Sequence, residues 1–346
     1  WRTAAPRCRS AISRCRWRPR WRPPAARPTA SSPSSATAAS GWVQCWLSRP
    51  RGADASLLPA VFIHGVGLGA VPYLPFLQRL RRGRPAPLAV VELPNCSRSH
   101  YQPAMPSAAN FRDMVERLLR QELGVTSPGR YVLLGHSLGT DYCSIIMNDP
   151  RLQGDGDSPL RPARLVLLDP ICFMHEIPDA HRLPFWTFRE AKAKSSGTAL
   201  SWSPAVLALL LLVIRDEHNQ EATKRSLAAG TDTVFRCSEH LLQKCPTLVC
   251  LSGRDQALPA WAIRDYVSAQ FPQIQLRIDP GMEHGAFLMP HIPGWLLQAH
   301  FEAIIRFISA LPRTSSLPGT ASPTEGERPL RQKSRSSLAL GKHALG

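Results

Sequence analysis

From about residue 42 onward, short β-rich hydrophobic runs alternate with longer stretches of helical periodicity. Residues 43–47, 58–63, 88–93, 131–135, 165–168, 247–251 and 274–278 read as strands. Between them, 72–82 and 138–147 read as helices, and 107–123 as an amphipathic helix with Phe111, Met114, Val115, Leu118 and Leu119 on one stripe. The strands are almost continuously apolar, which is what burial on both faces requires. The pattern therefore predicts an α/β fold, a mostly parallel sheet with helices on both faces.

The alternation lapses between residues 170 and 244. This stretch holds HEIPDAHRLPFWTF at 175–188, an apolar run at 204–214 and a polar helical segment through Arg236. An inserted helical cap at about 171–244, lying over the carboxyl edge of the sheet, is expected. Phe173, Phe185, Trp186, Phe188 and the apolar run would line an apolar acyl or aryl pocket or form the cap's own core. The run is too short to span a bilayer, which takes about 20 residues.

Charge changes the picture at both ends. The chain has 346 residues and a formal net charge of +17. Residues 1–53 carry eleven Arg and no acid, and residues 313–346 carry six basic residues against two Glu. The remainder nets only +2. The basicity thus belongs to the tails, and it gives the central domain no nucleic-acid signature. Three segments follow: a basic extension at 1–41, an α/β domain at 42–311 and a disordered basic tail at 312–346. The first resembles an organelle transit peptide in its Arg excess and lack of acids, and a plain disordered extension is the alternative. Arg interleaved with Trp17 and Trp21 keeps peripheral membrane contact open, through this segment or the cap. The expected location is intracellular, either cytoplasmic or in a plastid or mitochondrion. Nine cysteines without a C-x-x-C pair fit free thiols in a reducing compartment. No metal site and no cofactor are expected.

The candidate chemistry begins at YVLLGHSLGT, residues 131–140. A strand, then G-x-S-x-G, then a helix places Ser137 on a sharp turn, where side chains at Gly135 and Gly139 would collide with the turn. His136 completes this elbow. The helix that follows turns the Leu138 backbone N–H toward a developing oxyanion. In this context the chain resembles the α/β-hydrolase superfamily over about residues 42–310, and the resemblance implies that Ser137 is a nucleophile. Upstream, VFIHGVGLG at 61–69 ends a strand on His64-Gly65; in the superfamily such a turn supplies a second oxyanion donor, which falls here on the Val66 N–H. His64 is expected to be structural. A phosphate-cradling reading of these glycines lacks the Lys and Ser/Thr of a P-loop.

A serine hydroxyl needs an imidazole base, and the base needs an anionic partner to fix its tautomer. TLVCLSGRD at 247–255 and IQLRIDPGMEHG at 274–285 supply Asp255 and His284 after strands, in the order Ser, Asp, His that the superfamily uses. His284 is the expected acid/base and Asp255 its orienting partner. Asp169, in LVLLDP, is the alternative acid, since some lipase-like members place it there. His240, His291 and His300 are expected at the surface, and Glu283 in solvent.

Ser137 argues against the haloalkane dehalogenases and soluble epoxide hydrolases, which attack with aspartate. Carboxylic ester hydrolysis of a small apolar acyl or aryl ester is the default. Thioester, amide, lactone or carbon–carbon bond cleavage would use the same triad. A non-catalytic interaction protein with membrane- or nucleic-acid-binding tails is the alternative of a different class. LVLLDPICFMHEIPD and HGAFL are also similar to a little-characterised branch of the superfamily in fungi, algae and plants. The oligomeric state is not legible.

Overall fold

The computed structural model describes residues 13–15, 44–50, 53–54, 56–67, 69–93, 96, 106–152, 157–174, 245–255, 257–286 and 294–310. The expected cap from residue 175 onward, with Phe185, Trp186, Phe188 and His240, lies outside them, as do His291 and the tail from 311.

Among the described residues, eight strands form one sheet: β1 (Ser13–Cys15), β2 (Gln44–Ser48), β3 (Ala60–Ile63), β4 (Leu88–Glu92), β5 (Val132–His136), β6 (Arg164–Leu168), β7 (Thr247–Ser252) and β8 (Gln275–Asp279). Their order is β1-β2-β4-β3-β5-β6-β7-β8. The β1–β2 and β2–β4 pairs are antiparallel and the rest parallel. β1 belongs to the segment expected as an extension, and it lies against β2 with Arg14 opposite Trp46.

Alternation along the strands divides the core in two. On one face Val61, Ile63, Leu133, Leu165 and Val249 pack with Phe111 and Val115 of α2 (Ala108–Arg117), Ile146 of α3 (Gly139–Met147) and Ile263 of α4 (Ala260–Gln270). On the other, Phe62, Val90, Leu134, Val166 and Leu248 pack with Phe76 and Leu80 of α1 (Leu74–Gly83) and Ile304 and Phe307 of α5 (Gly294–Ser309). The expected helix at 107–123 divides into α2, whose N-terminal N–H of Asn110 is capped by the Ser107 hydroxyl, and a π-helical turn at Leu118–Glu122. The hydrophobic pattern does not predict α4 or α5.

Two expectations are corrected. Phe173 does not belong to a cap pocket; it is fully buried in the domain core, with its ring centroid 6.2 Å from Tyr266 and 6.3 Å from Phe271. His300 is not at the surface. It is 2% exposed on α5, where burial and the nearby Arg277 charge push its imidazole down to about 4, against the pull of Asp279. Among the described residues, Cys143, Cys172, Cys245 and Cys250 are buried free thiols. No described helix is long and apolar enough to cross a membrane.

The strand order reverses direction between β3 and β5. Loops leaving the carboxyl ends of these two strands diverge and open a crevice, the usual location of a site in such sheets. The 64–70 loop and Ser137 lie there.

Candidate active site

β5 runs straight into Ser137, whose φ of 49° is a conformation that residues with a Cβ rarely adopt. The turn holds because its surroundings leave no alternative. The Ser137 N–H donates to the Leu168 carbonyl at 2.9 Å, and its carbonyl accepts from the Thr140 N–H and hydroxyl at 2.9 and 2.6 Å. A Cβ on Gly135 would come within 2.6 Å of Cys143 Sγ, and one on Gly139 would collide with the Ile63 carbonyl oxygen. Both positions therefore exclude any larger residue, as the spacing of the motif suggests.

The structure brings three of the expected side chains into one line. Ser137 Oγ lies 3.1 Å from His284 Nε2, and His284 Nδ1 lies 2.6 Å from Asp255 Oδ2. The other Asp255 oxygen accepts the Ala257 and Leu258 N–H groups, both at 2.8 Å, which fixes the carboxylate plane. With a carboxylate at Nδ1, the neutral imidazole carries its proton there and presents a bare Nε2 to the serine hydroxyl. Burial disfavours charging of His284, but the Asp255 charge and hydrogen bond, together with the Asp169 charge, outweigh it and raise the imidazole to about 9. Its side chain is 24% exposed.

Asp169 sits behind this line. Its φ is 42°, and its carboxylate accepts the Ser252 N–H at 2.8 Å, the Ser252 hydroxyl at 2.9 Å and the Gly285 N–H at 2.9 Å. Burial raises its carboxyl above the usual range. Asp169 thus ties the ends of β6 and β7 to the loop that carries His284, and it is Asp255 that meets the imidazole. Asp169, Asp255 and His284 hold ligand-type atoms within 4.8 Å of one another. The hydrogen bonds above already engage them.

Residues 60–293 match the profile of the alpha/beta hydrolase family. The chain belongs to the alpha/beta hydrolase family. Among solved structures, this alpha/beta hydrolase is similar to a hyperthermophilic esterase from the archaeon Pyrobaculum calidifontis, with 18% identity over 78% of this chain and 80% of that chain and a TM-score of 0.51. It is also similar to an esterase from the fungus Rhizomucor miehei, with 15% identity over 78% of each chain and a TM-score of 0.51. At these identities the likeness is one of fold. No curated protein matches the sequence.

The remaining expected residues of this alpha/beta hydrolase lie in the loop after β3 and next to Ser137. Val66 is half-buried in the loop after β3, and Leu138 is buried at the head of α3. Among the described residues neither main-chain N–H donates to a backbone carbonyl outside the helices and strands. His64 is fully buried: its Nε2 accepts the Leu93 N–H at 2.9 Å, so Nδ1 carries the proton and donates to the Gly65 carbonyl at 2.6 Å. That is a loop-holding role. Glu92 supports the loop's far end by accepting the Ala70 N–H and the Trp46 indole N–H on one oxygen, at 3.0 and 2.8 Å. Sequence reasoning passes over Glu92 and Tyr73. Glu92, an acid at the end of an otherwise apolar strand, was the readable signal.

Proposed function

We propose that the protein is a serine hydrolase that cleaves carboxylic esters through an acyl-enzyme. The observation that carries this reading is the continuous path from Ser137 Oγ through the His284 ring to Asp255, at 3.1 and 2.6 Å.

His284 Nε2 takes the hydroxyl proton as Ser137 Oγ bonds to the ester carbon, and the carbonyl π electrons move onto oxygen. The tetrahedral oxyanion is met by the Val66 and Leu138 N–H groups. Collapse expels the alkoxide or phenolate, which receives the proton from Nε2, and leaves an acyl-serine. Water then gives its proton to Nε2 and attacks the acyl carbon. Ser137 leaves protonated, and a carboxylic acid is released. Throughout, Asp255 holds the ring orientation and balances the imidazolium charge.

An apolar acyl or aryl group is the substrate class. Support comes from exposed apolar side chains on elements that follow site loops: Val71 and Leu74 come after the 64–70 loop at 63% and 42% exposure, and Trp261 comes after Asp255 at 43%. The raised His284 pKa fits a base that works best above neutral pH. The test is turnover of short-chain p-nitrophenyl and naphthyl esters by the whole chain. Turnover that vanishes in Ser137→Ala supports the reading, and turnover surviving that change removes it.

A further inference from the structure

Tyr73 ends the 3₁₀ turn Val71–Tyr73 just before α1 and is 4% exposed. Its hydroxyl oxygen accepts the Gly65 N–H at 2.8 Å and lies 2.7 Å from His136 Nδ1. The backbone N–H can only donate, so the phenol's own proton is free to go to the imidazole. Burial raises the Tyr73 phenol, so it keeps that proton; burial above all, with the nearby His284 charge, holds His136 well below its ordinary value. A neutral His136 with a bare Nδ1 follows. The bonds therefore run in one direction, from Gly65 N–H to Tyr73 O–H to His136 Nδ1, and bonds linked this way reinforce one another.

The ends of this chain matter. Gly65 immediately precedes Val66, and His136 immediately precedes Ser137 and Leu138. The two segments are already in contact, since a Cβ on Gly65 would lie 3.0 Å from His136 Nδ1, from Ser137 Cβ and from the Tyr73 hydroxyl. Tyr73 adds a polar cross-link at that contact, from a residue 8 positions after Gly65 and 63 before His136.

We propose that Tyr73 is a positioning residue that clamps the 64–67 loop to the Ser137 elbow through Gly65 and His136, and so sets the separation of the Val66 and Leu138 N–H groups. This rests on the serine hydrolase reading above. The oxyanion exists only in the transition state, so a loosened clamp should lower kcat and leave substrate binding alone.

Tyr73→Phe removes the hydroxyl and keeps the ring. In the full chain, kcat for p-nitrophenyl acetate is expected to fall by about ten- to a hundredfold, with KM changed by less than about twofold. Hydrogen exchange at the 64–67 amides, read by mass spectrometry, should quicken by about tenfold or more, because the Gly65 N–H has lost its acceptor. His136→Leu tests the other end and should lower kcat in the same direction, and the double variant should be no worse than the more damaged single one. A folded Tyr73→Phe protein with wild-type kcat and wild-type exchange overturns the clamp. Should Tyr73→Phe not fold, unchanged kcat and exchange in His136→Leu overturn it equally. If the unmodified protein turns over no ester, the hydrolase reading fails by itself, and the exchange comparison still decides the clamp: faster exchange supports it, and unchanged exchange refutes it.

Discussion

Replacing Asp255 with Asn changes one oxygen to an amide nitrogen, and the structure decides which. Asp255 Oδ1 accepts two main-chain N–H groups, from Ala257 and Leu258, each at 2.8 Å. Only a carbonyl oxygen can satisfy both, so the Asn amide is forced to turn its NH₂ toward His284 Nδ1, at the 2.6 Å position now held by Oδ2. A donor then faces a donor. The ring escapes by moving its proton to Nε2, leaving Nδ1 to accept from the amide, and in that tautomer Nε2 can no longer take the proton of Ser137. The expected loss in kcat is about 10⁴-fold, or about 5 kcal/mol in the barrier. The charge that raises His284 is lost too, so the remaining activity should titrate at lower pH than in the unmodified protein. The assay is kcat/KM for p-nitrophenyl acetate across pH 6–10, with thermal unfolding by circular dichroism to show that the variant is folded. A folded Asp255→Asn protein that retains more than about a tenth of its activity would refute the tautomer argument.

Turnover of the unmodified protein should rise from pH 6.5 toward 9, since His284 must lose its proton to act as base and its pKa is raised to about 9. The sign for stability is opposite: a histidine with a raised folded-state pKa contributes fully below its unfolded value and loses that contribution as pH climbs through 9, so the unfolding midpoint in urea should drift downward over the range where activity rises. Asp169→Asn leaves at least one of three buried donors, from Ser252 and Gly285, without an acceptor; chemical denaturation should show a loss of about 1–3 kcal/mol, with far less damage to kcat than Asp255→Asn causes. Gly139→Ala puts a methyl group against the Ile63 and His64 carbonyl oxygens, which belong to backbone and cannot swing away, and should cost at least about 1–3 kcal/mol by the same measurement.

Much of the sheet was legible because buried parallel strands have a simple signature: Ala60–Ile63, Leu88–Glu92 and Val132–His136 lie close to the hydrophobic runs that announce them. The elbow was legible for a different reason. Two glycines flanking a serine after a strand answer a local steric demand, and local demands leave marks at fixed spacing. Asp255 and Asp169 could not be separated this way, since each follows a strand. Their roles diverge through partners far along the chain, with Asp169 meeting Ser252 and Gly285, and Asp255 meeting His284. His300 was misread because a histidine's burial depends on its helix packing against β7, a contact that composition does not reveal. Phe173 was assigned to the wrong layer for a similar reason: an aromatic residue near the start of an insertion looks the same whether it turns outward or back beneath α4. Tyr73 carried no signal, because what distinguishes it is one hydroxyl shared between two remote loops.

The most direct measurement is covalent. Incubated with a fluorophosphonate, the full chain should gain the mass of one phosphonyl group, peptide mapping should place it on Ser137, and Ser137→Ala should gain nothing. Labelling should also slow by several orders of magnitude in His284→Ala, since without the imidazole the hydroxyl keeps its proton. Folded protein that stays unlabelled at Ser137, or labels equally well without His284, would contradict a nucleophilic role for this serine.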